Sequence, residues 1–202
     1  MLKIIYLGGD SYPSDVACEA MVNRALTSSL KARFISQNEL ISPESMKTED
    51  WKPIPFRLRQ LETLIDSFWD RNAVLIGRSS GGRIATTFAK DHEIRAVVCF
   101  AYPFQPPDHN PEASRYMHLA DLQVPTLIIQ GTRDSYGGSE VIRRYAFSPS
   151  IQLHFIDADH DFVLTPEVWK ELFTTIHNFI LQTKKPKKKW GLSLIRLFTK
   201  TS

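Results

Sequence analysis

The residues with the clearest chemical potential are Ser79, Asp134 and His160, and each follows its own apolar run. Ser79 lies in "AVLIGRSSGGRIA", Asp134 in "LIIQGTRDSYGG" and His160 in "HFIDADHDF". A serine hydroxyl is a weak nucleophile, so it needs a base to take its proton and a carboxylate to orient that base. These three residue types, in this order along the chain, predict nucleophilic chemistry at Ser79.

The spacing of the glycines selects Ser79 over its neighbour Ser80. In a strand–Gly-x-Ser-x-Gly–helix turn, the residues two before and two after the serine have no room for bulky side chains. Gly77 and Gly81 meet this condition for Ser79, whereas Ser80 would need a glycine where the chain has Arg78. Ser80 then contributes only its backbone N–H. Taken alone, the motif is also compatible with a structural or phosphate-binding turn.

The elements that must position these residues are short apolar runs that alternate with helical patterns. The runs barely alternate in polarity, which is typical of parallel strands buried on both faces. Strand–helix alternation over this length predicts a three-layer α/β/α sandwich with a mostly parallel six-stranded sheet. The predicted strands are 3–7, 32–36, 73–77, 95–100, 125–130 and 151–156, and the clearest helices are 55–69 and 166–182.

Chain order and strand ends support a shared site. Ser79, Asp134 and His160 follow the third, fifth and sixth predicted strands, and the carboxyl ends of parallel strands meet at one edge of a sheet. Three further carboxylates beside His160 are alternative orienting acids, although they lie so near in sequence that they are poorly placed: Asp157, Asp159 and Asp161.

Three stretches carry a resemblance to a known family. "GRSSGG", "PTLIIQGTRD" and "ADHDF" are similar to the motifs of compact α/β-hydrolases of the dienelactone hydrolase type and their small relatives. The resemblance spans roughly residues 1–182, which we take as one hydrolase domain. It implies Ser79 as the nucleophile, His160 as general base and then acid, Asp134 as the orienting acid, and the strand order 2-1-3-4-5-6.

The same resemblance implies an oxyanion hole formed by the backbone N–H groups of Gly9 and Ser80. In that strand order the first and third strands are neighbours, so the loop "GGDSYP" should meet the serine turn. Relatives commonly have His-Gly where this chain has Leu7-Gly8, but a backbone donor does not require that histidine. A plain tight turn is the alternative for the two glycines.

The proline-rich segment 102–124 is long for a loop in a compact domain, which suggests a functional role. We expect it to overhang the site, with four side chains lining an acyl pocket, although packing within the loop is the alternative. The four residues are Tyr102, Phe104, Tyr116 and His118. Arg83 is expected to brace the helix after Ser79, and Arg78 has no assigned role.

The basic charge of the chain lies in its last residues. The formal net charge is +3, but seven of the 25 Lys and Arg residues lie in 184–202, where no Asp or Glu occurs. The remainder has 18 basic against 22 acidic residues, which argues against a general nucleic-acid surface. The segment 183–202 is predicted as a separate tail that is either solvated or in weak contact with an anionic membrane surface through 184–200.

The cysteines, the length of the apolar runs and the lack of cofactor-binding motifs indicate the expected location and chemistry. Cys18 and Cys99 form no Cys-x-x-Cys pair, and the chain has no run of about 20 apolar residues, so we expect a cytoplasmic location, with the tail as the only membrane contact. No phosphate loop, dinucleotide fingerprint or metal-ligand cluster occurs, so we expect no cofactor and no metal. The expected activity is hydrolysis of a small acyl ester or thioester. The alternative is a non-catalytic binding or complex subunit with the same fold.

Overall fold

Six parallel strands form the central sheet, in the order β2-β1-β3-β4-β5-β6. The structure is a computed structural model that describes residues 1–13, 16–68 and 70–186. Each predicted strand is present to within a residue at either end, and the predicted fold class and strand order are confirmed. The strands are β1 (Lys3–Leu7), β2 (Arg33–Ile35), β3 (Ala73–Arg78), β4 (Ala96–Phe100), β5 (Thr126–Gly131) and β6 (Ile151–Ile156).

Helices cover both faces of the sheet and complete the three layers. They are α1 (Val16–Leu30), α2 (Gln37–Leu40), α3 (Ile54–Asp66), α4 (Ser80–Asp91), α5 (Ala113–Tyr116), α6 (Val141–Arg144) and α7 (Pro166–Gln182). Successive strand residues point to opposite faces. Ile5 therefore belongs to the core under α3 and α4, while Ile4 belongs to the core under α1 and α7.

Two predicted helix boundaries can be compared directly with the structure. The last helix spans the predicted 166–182, and the Thr165 hydroxyl accepts from the Val168 N–H, 3.5 Å away, as an N-cap does. The helix predicted over 55–69 is α3, which ends at Asp66. It ends early because the Ser67 N–H bonds back to the carbonyls of Thr63 and Leu64 and the chain then leaves the helix.

The sharp turn between β3 and α4 carries Ser79 in a strained conformation, with φ 51° and ψ −120°. L-residues other than glycine rarely adopt a positive φ, and such strain persists only where the surroundings enforce it. A Cβ atom on Gly77 would overlap the backbone of Gly81 and Gly82, and one on Gly81 would overlap the carbonyls of Leu7 and Gly8. Both flanking glycines are thus required by close backbone contact.

The first residues after α7 pack against the body of the protein. Arg95 Nε donates to the Thr183 hydroxyl over 3.0 Å, and Lys185 Nζ lies 2.9 Å from a carboxylate oxygen of Asp70. Lys3 binds the same carboxylate at 2.8 Å, and the two ammonium groups hold the pKa of Asp70 well below its usual range. The remainder of the predicted basic tail, residues 187–202, lies outside the described residues.

A helix that crosses a lipid bilayer needs about 20 consecutive, mostly apolar residues. Across residues 1–13, 16–68 and 70–186, every helix is too short or too polar to cross a membrane.

The contact at Gly81 predicts different effects for the same substitution at two adjacent glycines. Both Gly81→Ala and Gly82→Ala gain helix propensity, but a Cβ at Gly82 meets only side-chain atoms of Tyr102 and Cys99, at 3.2–3.4 Å. Gly81→Ala is expected to lower the free energy of unfolding by more than about 2 kcal/mol, and Gly82→Ala to change it by less than about 1 kcal/mol. Urea unfolding followed by circular dichroism measures both, and equal effects would contradict the contact.

Candidate active site

Ser79, His160 and Asp134 lie together at the carboxyl edge of the sheet. The Ser79 hydroxyl is 3.0 Å from Nε2 of His160, and Nδ1 of His160 is 2.9 Å from Oδ2 and 3.0 Å from Oδ1 of Asp134. If Nδ1 carries the proton and donates it to the carboxylate, Nε2 is left as the acceptor for the serine hydroxyl. The arrangement can therefore move a proton from Ser79 to the imidazole.

The carboxylate of Asp134 is buried and held by two further donors. The Tyr136 N–H donates to Oδ1 over 2.8 Å, and Nε2 of Gln130 donates to Oδ2 over 3.0 Å. Gln130, near the end of β5, is itself fully buried and accepts from the Tyr102 N–H while donating to the Gly137 carbonyl. Burying a carboxylate without hydrogen-bond partners is costly, and these partners also fix its position.

Arg78, the last residue of β3, binds the loop that carries His160. The Arg78 side chain is only 8% exposed, and its Nη2 donates to the His160 carbonyl over 2.5 Å. Its Nη1 lies 3.5 Å from Nε2, a longer contact than the one with Ser79. The ring of Tyr136 packs on the imidazole with centroids 4.1 Å apart. These contacts constrain the orientation of the imidazole.

The alternative orienting acids have other contacts. Asp157 forms an ion pair with Arg133, and Oδ1 of Asp159 accepts from the Asp161 N–H over 3.0 Å. The carboxylate beside Nδ1 of His160 is that of Asp134.

The loop after β1 meets the serine turn, as its sequence position predicts. The Gly8 N–H donates to Oε1 of Gln37 over 3.0 Å, and the Gly8 carbonyl accepts from Nη2 of Arg57 at 2.5 Å. A trans peptide directs its N–H opposite to its carbonyl, so the Gly9 N–H points away from Arg57. Gly9 and Ser80 both line the cavity in front of Ser79.

The Ser80 side chain has a structural part that the sequence did not indicate. Its hydroxyl donates to Oδ1 of Asp10 over 2.6 Å and accepts from Nη1 of Arg57 over 3.1 Å. Arg57 comes from α3, is fully buried, and lies 3.6 Å from Asp10. Together these contacts connect the loop after β1 to the first turn of α4.

A cavity of about 1080 Å³ opens above Ser79 and His160. Its apolar lining comes from α1, α7 and the segment between β6 and α7 and includes Ala17, Met21, Phe162 and Trp169. Its charged lining includes Arg83, Arg115 and Arg133 as well as Asp10, Asp159 and Asp161. The volume is of the order expected of a small-molecule site.

The four side chains expected to line an acyl pocket are not on this cavity, which corrects that expectation. Tyr102 and Phe104 are fully buried in the core beneath α4, and the Tyr116 ring packs on Tyr145 with centroids 4.4 Å apart. Nε2 of His118 lies 2.9 Å from the Thr86 hydroxyl, and burial lowers the pKa of this imidazole to about 4. The alternative of packing within 102–124 describes them better, because α5 and the 3₁₀ helix Met117–Ala120 fold the segment onto the core.

The sequence did not predict the supporting roles of three residues: Arg57, Gln130 and the positioning residue Arg78. Gln130 follows the apolar residues 127–129 in β5, and a polar residue in a buried strand is a usable signal. Arg57 interrupts the apolar pattern of α3, but one arginine on a helix is common and carries no comparable signal.

Comparisons with known proteins place the chain in a family. A family model described as an alpha/beta hydrolase domain matches residues 43–184, more than half of the chain. No curated protein matches the sequence.

Solved structures share the fold at low sequence identity. The esterase domain of a Rhodothermus marinus protein superposes with a TM-score of 0.64 at 14% identity, covering 90% of this chain and 87% of that one. A pyrethroid hydrolase from Sphingobium faniae gives 0.63 at 14%, covering 90% and 98%. An alpha-beta serine hydrolase homologue from Coxiella burnetii gives 0.65 at 17%, covering 88% and 84%.

The contacts of Arg57 predict that its removal weakens the site scaffold. Arg57→Met leaves the Gly8 carbonyl and the Ser80–Asp10 pair without their buried donor, so we expect the free energy of unfolding to fall by about 2–4 kcal/mol. Arg59→Met, at an exposed position of the same helix, is the matched control and is expected to stay within about 0.5 kcal/mol of wild type. Urea titration of both variants measures the difference; comparable losses would contradict the role given to Arg57.

Proposed function

The chain belongs to the alpha/beta hydrolase domain family, and from this premise we propose that it is a serine hydrolase that cleaves a carboxylic ester or thioester through an acyl-enzyme. The observation that carries the proposal is the hydrogen-bonded series Ser79–His160–Asp134 beside a cavity. That an esterase domain and a pyrethroid hydrolase share the fold is consistent with ester bonds as the target.

In the first proposed step, the Ser79 hydroxyl attacks the carbonyl carbon of the substrate. Nε2 of His160 accepts the hydroxyl proton, and Asp134 stabilises the resulting imidazolium and holds its orientation. The strained turn supports this role because it lifts the hydroxyl from the end of β3 to a short distance from the imidazole.

The attack places negative charge on the former carbonyl oxygen. We assign its stabilisation to the N–H of Ser80, the first residue of α4, where a backbone N–H has no acceptor within the helix. The second donor in the proposal is the Gly9 N–H, whose direction follows from the Gly8 carbonyl bound by Arg57. One such donor stabilises the transition state by on the order of 3 kcal/mol.

Collapse of the tetrahedral intermediate breaks the bond to the leaving group, which takes the proton from Nε2 of His160 and departs as an alcohol or thiol. A water molecule then attacks the acyl group on Ser79 while His160 accepts a water proton. The second tetrahedral intermediate expels Ser79, which recovers its proton, and the acid product leaves. No cofactor takes part in this sequence of steps.

Fluorophosphonate labelling tests the assignment of the nucleophile. Wild type is expected to react with the probe and Ser79→Ala to show no reaction, while Ser80→Ala keeps labelling because its N–H is retained. In-gel fluorescence measures the adduct. Absence of labelling in wild type, or equal labelling in Ser79→Ala, would favour the non-catalytic binding subunit instead.

The choice of Asp134 among four nearby carboxylates gives a second test. Asp134→Asn removes the charge that holds the imidazole, so kcat/KM for a 4-nitrophenyl ester should fall on the order of a thousandfold to ten-thousandfold. Asp157→Asn is the matched control. Asp157 follows directly after β6 and is paired with Arg133, so this variant should stay within about twofold of wild type. The reverse ranking would reassign the orienting acid.

A further inference from the structure

Arg83 places a partly buried guanidinium on the wall of the cavity. It extends from the first turn of α4, and its Nε is buried. Among residues 1–13, 16–68 and 70–186, this Nε has no hydrogen-bond partner. A buried N–H of a charged group without an acceptor is costly, so it needs an explanation.

A second guanidinium makes the local charge more unfavourable. Burial lowers the pKa of Arg83, and the positive charge of the nearby Arg115 lowers it further. Arg115 lines the same cavity and has its own partner, since its Nε donates to Glu112 over 2.8 Å. Asp10 and Glu112 offset part of the repulsion between the two arginines, and a bound anion between them would offset more of it.

The acidic side chains near Arg83 are already engaged by other cations. Asp10 accepts from Ser80 and lies 3.6 Å from the buried Arg57, and Glu112 is paired with Arg115. Each acid therefore forms its close ion pair with another arginine and acts on Arg83 only at longer range. The N-terminal end of α4 adds a further partial positive charge on the same side.

We propose that Arg83 and Arg115 form a subsite for an anionic group, a carboxylate or a phosphate, carried by the substrate. The inference rests on the proposed function and names the substrate class for that site. Arg83 lies in the first turn of α4, four residues after Ser79, which immediately precedes the helix, and both residues line the cavity. The anion is thus held near the ester or thioester that Ser79 attacks, while the apolar side chains of Met21 and Trp169 accept the uncharged part.

Two pairs of esters, in which the members differ by one carboxylate, test the subsite. Mono-4-nitrophenyl glutarate carries a carboxylate on the acyl side, and 4-nitrophenyl pentanoate is its neutral counterpart. The pair 3-carboxyphenyl pentanoate and phenyl pentanoate places the carboxylate on the leaving group. We expect wild type to prefer one anionic ester by about tenfold to a hundredfold in kcat/KM, which identifies the side of the scissile bond that carries the anion.

Substitution of single arginines shows which of them causes the preference for the anionic ester. Arg83→Met is expected to reduce the anionic-to-neutral ratio at least tenfold, and Arg115→Met to reduce it as well. Arg133→Met is the matched control, because Arg133 lines the same cavity but its side chain is 61% exposed, against 15% for Arg115, and it should keep the wild-type ratio. Reading the effect as a ratio separates it from any general loss of folded protein.

The outcomes distinguish the subsite from the proposed hydrolysis. Turnover of neutral esters without an anionic preference would overturn the subsite and leave the hydrolase proposal intact. An equal loss of preference in Arg83→Met and Arg133→Met would also overturn the subsite, because it would mean that the overall positive charge of the cavity, and not a specific pair of arginines, attracts the anion. If no ester is turned over, the hydrolase proposal fails. Calorimetric binding of the two 4-nitrophenyl esters to Ser79→Ala, with and without Arg83→Met, then decides the subsite independently.

Discussion

Gly81 lies against the carbonyl groups of Leu7 and Gly8, and the arrangement of the site depends on this backbone contact. It exists because β1 and β3 are neighbours, with Leu7 paired to Gly77, so the loop after one strand meets the turn after the other. The absence of side chains at Gly77 and Gly81 lets the chain reverse within a few residues. That reversal holds Ser79 at a positive φ, with its hydroxyl towards His160.

Buried polar side chains then fix the loops around this contact. Arg57 binds the Gly8 carbonyl, Gln130 binds Asp134, and Arg78 binds the His160 carbonyl. Each of them provides a hydrogen-bond donor for a polar group of a loop, and so fixes the position of that loop relative to the others. The proposed catalytic groups come from three separate loops, and their distances depend on these supports as much as on the strands.

The sequence predicted the sheet because its strands are buried, apolar and separated by helical patterns, and the glycine spacing predicted the serine turn. It did not predict the role of Arg57, whose acceptors, the Gly8 carbonyl and the Ser80 hydroxyl, are distant in the chain and leave no local pattern. The polar Gln130 in a buried strand was a usable signal, but its contacts with Tyr102 and Gly137 are apparent only in the folded chain. The prediction misplaced Tyr102 and Phe104 for a related reason. An aromatic residue in a loop can face a cavity or the core, and only the packing of α5 and the following 3₁₀ helix decides between them.

The proposed acyl-enzyme at Ser79 is the central claim, and mass spectrometry of the intact and the digested protein tests it most directly. The protein is mixed with a 4-nitrophenyl ester, quenched with acid within the first turnover and digested for peptide mapping. The account predicts one acyl group per chain on the peptide that contains Ser79. An acyl group on another residue, such as the half-buried Cys18 on the cavity wall, or release of product with no adduct under any quench time, would contradict it.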